Sequence, residues 1–143
     1  MSAMGPSIEG ARVLDLFAGS GALGLECLSR GASSTVFVER SREALRELRR
    51  NVEELDAGDR VRIIAGDALS HAEGLEPGAF DLAVADPPYE GGYAERLLRH
   101  FARVPFAREL WVEHHTSEDV PELPGMRSRR YGDTTITIVE APE

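Results

Sequence analysis

The sequence contains no lysine, a single cysteine and no long apolar run, and each absence excludes a class of protein. A transmembrane helix needs about 20 consecutive apolar residues, and no segment approaches that length. The first ten residues lack the basic and apolar regions of a secretory signal. Cys27 has no partner for an internal disulfide, which favours a cytoplasmic protein. Because Cys27 lies in an apolar helical stretch, we expect it to pack in the core rather than act as a nucleophile.

The charged residues are mostly acidic. All 16 basic residues are arginine, 25 residues are acidic, and the formal net charge is −9. This balance argues against broad, sequence-independent affinity for nucleic acid, which depends on neutralising phosphates. The densest basic cluster is Arg127, Arg129 and Arg130, which could contact phosphates or simply form a solvated strand. His114 and His115 lack spaced partner ligands, so no metal site is expected.

Short apolar runs alternate with helix-like segments along the whole chain. Strands are predicted at 12–17, 34–39, 60–66, 80–86 and 108–114, and helices at 22–30, 41–55, 68–75 and 93–104. The tail from residue 126 to 141 predicts an antiparallel hairpin around Gly132 and Asp133. Alternating strands and helices predict a doubly wound α/β fold, a mostly parallel sheet with helices on both faces. We expect one domain over residues 1–143. We also expect a monomer that does not associate with a membrane.

A glycine-rich loop, "DLFAGSGALG", joins the first strand to the first helix. Gly19, Gly21 and Gly24 have the spacing G-x-G-x-x-G, and Glu39 ends the next strand 20 residues after Gly19. Glycines let a ligand approach the backbone, and the acid can accept hydrogen bonds from a ribose diol. Either a dinucleotide or S-adenosylmethionine fits such a site.

Two further acids lie at strand ends on the same side of the predicted sheet. Asp15, four residues before Gly19, would oppose a pyrophosphate and attract the cationic amino-acid part of S-adenosylmethionine. The alternative is that Asp15 only caps the turn. Asp67 follows the third strand, where it can accept from an adenine amino group, cap the next helix, or do both.

The motif "DPPY" follows the fourth strand. Pro87 and Pro88 fix a rigid extended turn. Asp86 and the Pro87 carbonyl can then accept the protons of an NH₂ group, while Tyr89 offers a face for a planar ring. Such acceptors would localise the amine lone pair and aim it at a methyl group. The alternative is an ordinary proline turn with a surface tyrosine.

Both motifs resemble those of class I S-adenosylmethionine-dependent methyltransferases, in which "DPPY" is the signature of methylation at exocyclic amino nitrogens. The segments "VLDLFAGSGALGLECLSRGA", "VFVERS", "GDAL", "FDLAVADPPYEGGY" and "RRYGDTTITIVE" resemble the bacterial 16S rRNA guanine-N2 methyltransferase family called RsmD. The resemblance extends from about Ile8 to Glu140. It implies a Rossmann-like fold with the sheet order 3-2-1-4-5-7-6, and guanine N2 of 16S ribosomal RNA, naked or in the small ribosomal subunit, as the target.

Carried over by position, the resemblance implies three groups of site residues. Cofactor contacts are implied at Asp15, Phe17, Ala18, Gly19 and Gly21. Contacts to ribose are implied at Glu39, and contacts to adenine near Arg40, Asp67 and Ala68. Contacts to the target amine are implied at Asp86, Pro87, Pro88 and Tyr89.

The resemblance leaves alternatives open. Family members usually carry a further basic N-terminal segment, and here the glycine-loop strand comes almost at once, which places RNA affinity rather than cofactor binding in doubt. A DNA base or a protein glutamine could be the target instead. A non-catalytic cofactor-binding module would have no reason to keep Asp86 and Tyr89, and a nicotinamide dehydrogenase would have no use for "DPPY".

Overall fold

The computed structural model describes residues 8–142. The first seven residues, where no secretory signal is visible, and residue 143 lie outside the described part of the predicted domain. The strands are β1 (Arg12–Leu16), β2 (Ser34–Glu39), β3 (Val61–Ala65), β4 (Phe80–Ala85), β5 (Ala107–His115), β6 (Met126–Tyr131) and β7 (Thr134–Glu140). The helices are α1 (Ala22–Ser29), α2 (Arg42–Glu54), α3 (Ala68–Glu73) and α4 (Tyr93–Arg103), with a short 3₁₀ turn at Gly58–Arg60.

The strands form one seven-stranded sheet in the order β3-β2-β1-β4-β5-β7-β6, which confirms the predicted order. Strands β1 to β5 run parallel, and β7 lies antiparallel between β5 and β6. The chain winds outward from β1 in one direction and from β4 in the other. In such sheets ligands bind beyond the carboxyl ends of the strands where the order reverses, here between β1 and β4.

Local sequence signals account for the helix boundaries. Ser41 caps α2 as predicted, because its Oγ accepts the N–H of Ala44 at 3.3 Å. After α1 the chain turns through Gly31 at φ 103°, and the N–H of Ala32 donates to the carbonyl of Cys27 at 3.0 Å. Helix α4 ends two residues before Pro105, whose ring cannot continue a helix.

The sheet is covered on both faces, as the near-continuous apolar strands predict. Helices α1 and α2 pack on one face, with Leu48 and the ring of Phe37 at the centre of that layer. Helices α3 and α4 cover the other face, where Leu97 and Phe101 are fully buried. Cys27 has no exposed surface, and burial raises the pKa of its thiol to about 12, which supports a packing role.

Within residues 8–142, no helix is both long enough and apolar enough to cross a bilayer.

Candidate functional site

A cavity of about 410 Å³ opens at the carboxyl ends of the strands where the order reverses. Its volume lies in the range of small-molecule sites. The lining residues are Phe17, Val38, Glu39, Arg40, Gly66, Asp67, Ala68, Asp86, Pro87, Pro88, Tyr89 and Tyr93. Nine of the residues predicted from the sequence are therefore in one place. Asp15, Ala18, Gly19 and Gly21, also predicted, are not part of the lining.

Glu39 organises the glycine loop. One oxygen of its carboxylate accepts the N–H of Gly19 at 2.8 Å, and the other accepts the N–H groups of Arg40 at 2.9 Å and Ser41 at 2.8 Å. A carboxylate has about four lone-pair positions, so capacity remains for a ligand on the cavity side. Glu39 thus ties the end of β2 to the loop after β1 and still faces the cavity.

The glycines of the loop serve different purposes. A Cβ on Gly24 would lie 2.4 Å from Cε1 of Phe37 and 2.8 Å from Cγ2 of Thr35, so Gly24 allows α1 to pack against β2. Gly19 has φ 58°, and a Cβ there would meet nothing within 4 Å. The backbone at Gly19 is therefore open to a ligand, whereas Gly24 is a packing glycine.

Asp15 is buried inside the loop rather than exposed on the cavity wall. Its side chain is 2% exposed, and Oδ2 accepts the N–H of Gly24 at 3.0 Å in the first turn of α1. Burial raises the pKa of this carboxyl well above its usual range, against the lowering effect of the Gly24 N–H, while the charges of Asp86 and Glu39 raise it further. The geometry supplies the helix-capping contact that was the alternative for Asp15.

Asp67 adopts the capping role and remains on the cavity wall. Oδ1 accepts the N–H of Leu69 at 3.0 Å, and Oδ2 accepts the hydroxyl of Ser70 at 3.2 Å. Both roles considered for Asp67 are therefore geometrically compatible. Phe17, also part of the lining, is held at φ 57°, an uncommon conformation for a residue with a side chain, and packs edge-on against Tyr93 at 5.8 Å between ring centroids.

Asp86 opens into the cavity from the end of β4, with a second carboxyl beside it. Glu113 of β5 lies beside Asp86, because Val112 pairs with Ala85 in the β4–β5 register. Partial burial, the negative charge of Glu113 and a hydrogen bond from Glu113 together raise the pKa of Asp86 to about 7. The sequence analysis missed Glu113, although an acid near the end of a predicted strand was the same signal that identified Asp86 and Glu39.

Tyr89 presents its ring at the mouth of the cavity. It is 48% exposed, and its ring lies edge-on to that of His115 with 5.6 Å between centroids. Ser117 fixes the histidine, because its backbone N–H reaches Nδ1 of His115 at 3.1 Å and its hydroxyl lies 2.6 Å from the same atom. An exposed aromatic face beside Asp86 suits a planar base.

The charge of the cavity wall is predominantly negative. Glu39, Asp67 and Asp86 contribute three carboxyls, and Arg40 is the one arginine of the lining. A pyrophosphate would be repelled here, whereas a ligand with sulfonium and ammonium groups would be attracted. The carboxylates of the cavity wall therefore fit S-adenosylmethionine better than a dinucleotide.

The predicted arginine cluster lies on β6, the edge strand beyond β7. Arg127 is shared between Glu109 and Glu140, at 3.9 Å and 3.8 Å. Arg130 donates to the carbonyl of Gly132 at 2.9 Å in the hairpin turn. Arg129 forms no ion pair within residues 8–142, which leaves its guanidinium exposed at the sheet edge.

Comparisons with known proteins identify the family to which the chain belongs. Residues 1–140 match the family described as "Conserved hypothetical protein 95". The chain is 33% identical to the protein YlbH of Bacillus subtilis (strain 168), over 94% of the chain and 78% of the relative. It is 34% identical to "Ribosomal RNA small subunit methyltransferase D" of Escherichia coli (strain K12), over 85% of the chain and 62% of that relative's length. The solved structure of the Escherichia coli protein yhhF superposes with a TM-score of 0.82 at 28% identity, covering 99% of this chain and 82% of the other.

Proposed function

We propose, because this chain belongs to the family described as "Conserved hypothetical protein 95" and is an RsmD-like class I methyltransferase, that it methylates an exocyclic amino nitrogen with S-adenosylmethionine as donor. The proposed target is N2 of a guanine in 16S ribosomal RNA, in the small subunit or its precursor. The use of S-adenosylmethionine follows from the methyltransferase class.

One observation carries the proposal. Asp86 and Tyr89 open into the same cavity as Glu39 and Asp67, so the target side and the cofactor side of the site share one space. When two reactants are held in one cavity and well aligned, the barrier to their reaction can fall by roughly 7–11 kcal/mol. Neither a dehydrogenase nor a binding module needs this second set of residues.

The residues of the cavity have separable roles. Glu39, Asp67 and the open backbone at Gly19 would hold the cofactor, which supplies a methyl group on a cationic sulfur. Asp86 would accept an N–H of the target amine, and Tyr89 would stack on its base. Pro87 is buried and Pro88 follows it, so the acceptor positions beside Asp86 are rigid.

The sheet register supports an RNA target through the arginine hairpin. Glu113 pairs with Ile136 of β7, and Ile136 pairs with Arg129 of β6, so Arg129 lies in the row of strand residues that contains the site. Strands are about 4.8 Å apart, which puts the Arg129 backbone roughly 15 Å from Asp86. An arginine at that distance can contact a phosphate near an extruded base.

The direct test is methyl transfer from labelled S-adenosylmethionine to small ribosomal subunits lacking the modification, naked 16S rRNA and duplex DNA. We expect label in the RNA, located at a guanine N2 by nucleoside analysis. Asp86→Ala should lose at least about a hundredfold in turnover, since a positioned proton acceptor contributes 10²–10⁴. Its affinity for S-adenosylhomocysteine should stay within a few-fold, measured by ligand-induced melting.

The controls separate the parts of the proposal. A melting shift with S-adenosylhomocysteine and none with NAD supports the cofactor assignment. Label in DNA or protein instead of RNA would contradict the proposed target while leaving amino methylation in place. Loss of cofactor binding in Asp86→Ala would contradict the division of roles.

A further inference from the structure

Glu113 lies two residues before the end of β5, in the strand position next to Asp86. Strands β4 and β5 pair in parallel with Ala85 opposite Val112, so the next residues, Asp86 and Glu113, emerge side by side at the same sheet edge. The negative charge of Glu113 and a hydrogen bond from Glu113 are among the causes that raise the pKa of Asp86. A hydrogen bond between two carboxyls requires a proton on one of them.

Asp86 and Glu113 lack an ion-pair partner in the described part of the chain. Asp15 of β1 is close enough for the charge of Asp86 to raise its pKa, in addition to the larger effect of burial. The other titratable or charged groups of the surrounding wall are Glu39, Arg40, Asp67, Tyr89 and Tyr93. The neighbouring Glu113 therefore favours the protonated form of Asp86.

We propose that Glu113 is a positioning residue for Asp86: the ionised Asp86 accepts the proton that the target amine loses on methylation, and the two carboxyls then share that proton. This inference rests on the proposed function for its catalytic half. Its structural half, the shared proton, stands on the strand register, which places the two carboxyls side by side.

The step balances in atoms and electrons. The amino nitrogen forms a bond to the methyl carbon as the carbon–sulfur bond breaks, and the electron pair of that bond remains on sulfur. The nitrogen then gives one proton to the carboxylate of Asp86. The hydrogen bond to Glu113 holds the new carboxylic acid until the proton leaves to solvent.

The pairing explains why the acceptor suits neutral pH. An ordinary aspartate has a pKa near 3.9 and is a weak base, whereas burial and the adjacent Glu113 raise the pKa of Asp86 to about 7. A base is most effective when its pKa lies near the working pH. The cost is that Asp86 is protonated and inactive in acid.

The first test uses the protein without substrate or cofactor. Carboxyl ¹³C shifts of labelled aspartate are followed against pH, with the Asp86 signal assigned by its loss in Asp86→Asn. We expect a midpoint near pH 7 in the native chain and a midpoint more than one pH unit lower in Glu113→Gln. Glu90→Gln, which removes an exposed carboxyl from the same loop, is the matched control and should leave the midpoint in place.

The second test follows methyl transfer against pH at saturating RNA and cofactor. At pH 6 the native chain should retain about one tenth of its plateau rate, as expected for a group that must be ionised with a pKa near 7. Glu113→Gln should retain most of its own plateau rate at pH 6. That plateau should be roughly threefold to tenfold below the native one, because the base is weaker.

The outcomes distinguish this inference from the proposed function. A native Asp86 that titrates near pH 4 would overturn the shared proton whether or not RNA is methylated. A lowered midpoint in Glu113→Gln without any methyl transfer supports the pair and contradicts the proposed function. An unchanged pH profile of the rate in Glu113→Gln would overturn the catalytic half.

Discussion

For Asp15, the sequence is compatible with two roles: attraction of a cationic cofactor and capping of the glycine turn. As a negative charge before the glycine loop, it was predicted to attract a cationic cofactor. In the folded chain it accepts the N–H of Gly24 and has almost no exposed surface. Burial raises its pKa, so the neutral form is favoured and long-range attraction of a cation is weakened.

Two substitutions at Asp15 separate the roles. Asp15→Asn keeps an oxygen that can accept from Gly24, so we expect stability and cofactor affinity close to native. Asp15→Ala leaves a buried N–H without a partner and should cost about 1–3 kcal/mol of unfolding free energy. Urea unfolding and the melting shift with S-adenosylhomocysteine measure the two effects. If Asp15→Asn loses cofactor affinity tenfold or more at unchanged stability, the charge itself binds the ligand.

At the scale of the element, the sequence predicts what is local and misses what depends on neighbours. Every predicted helix and strand is present with its ends within two residues, because apolar runs, capping residues and turn residues are adjacent in the chain. Glu39 and Asp86 could be identified because each immediately ends a strand. The role of Glu113 could not, since it depends on the register that puts Val112 opposite Ala85. The same holds for His115, whose contact with Tyr89 joins separate elements.

The β6–β7 hairpin is the element with two possible roles. Charged residues on an edge strand prevent pairing with another chain, and Arg127 is already engaged by Glu109 and Glu140. Arg129 is not engaged in this way and lies in the row of the site. If the hairpin binds RNA, replacing Arg129 should therefore weaken RNA binding more than replacing Arg127.

We expect Arg129→Ala to weaken binding to 16S rRNA and to reduce the slope of log affinity against log salt by about 1, as for one lost phosphate contact. Arg127→Ala should change the slope less, because its guanidinium is shared with two carboxylates. Fluorescence anisotropy with a labelled RNA fragment over a salt series measures both. Equal slopes for native and both variants would assign the cluster to edge protection alone.

At the scale of the whole molecule, the acidic site should make stability fall as pH rises from about 4 to about 7. Burial and the charge of Glu113 raise the pKa of Asp86 to about 7, whereas an aspartate in an unfolded chain has a pKa of about 3.9, so between these values the folded state keeps a proton that the unfolded state has lost. Asp15 acts in the same direction. Asp81 acts oppositely, because hydrogen bonds to Arg12 lower its pKa and contribute stability that is lost only in stronger acid.

Asp86→Asn should therefore raise the melting temperature at pH 8, where the native carboxylate is ionised beside Glu113, and should have little effect below about pH 3, where Asp86 is mostly protonated in both states. Scanning calorimetry of the two proteins across this range measures the difference, with Glu90→Gln as the control for removing one exposed charge. A stabilisation independent of pH would show that the variant acts through packing instead. The expected result would mean that Asp86, which the proposed reaction requires, also lowers the stability of the fold at neutral pH. Activity and stability would then place opposite demands on this position.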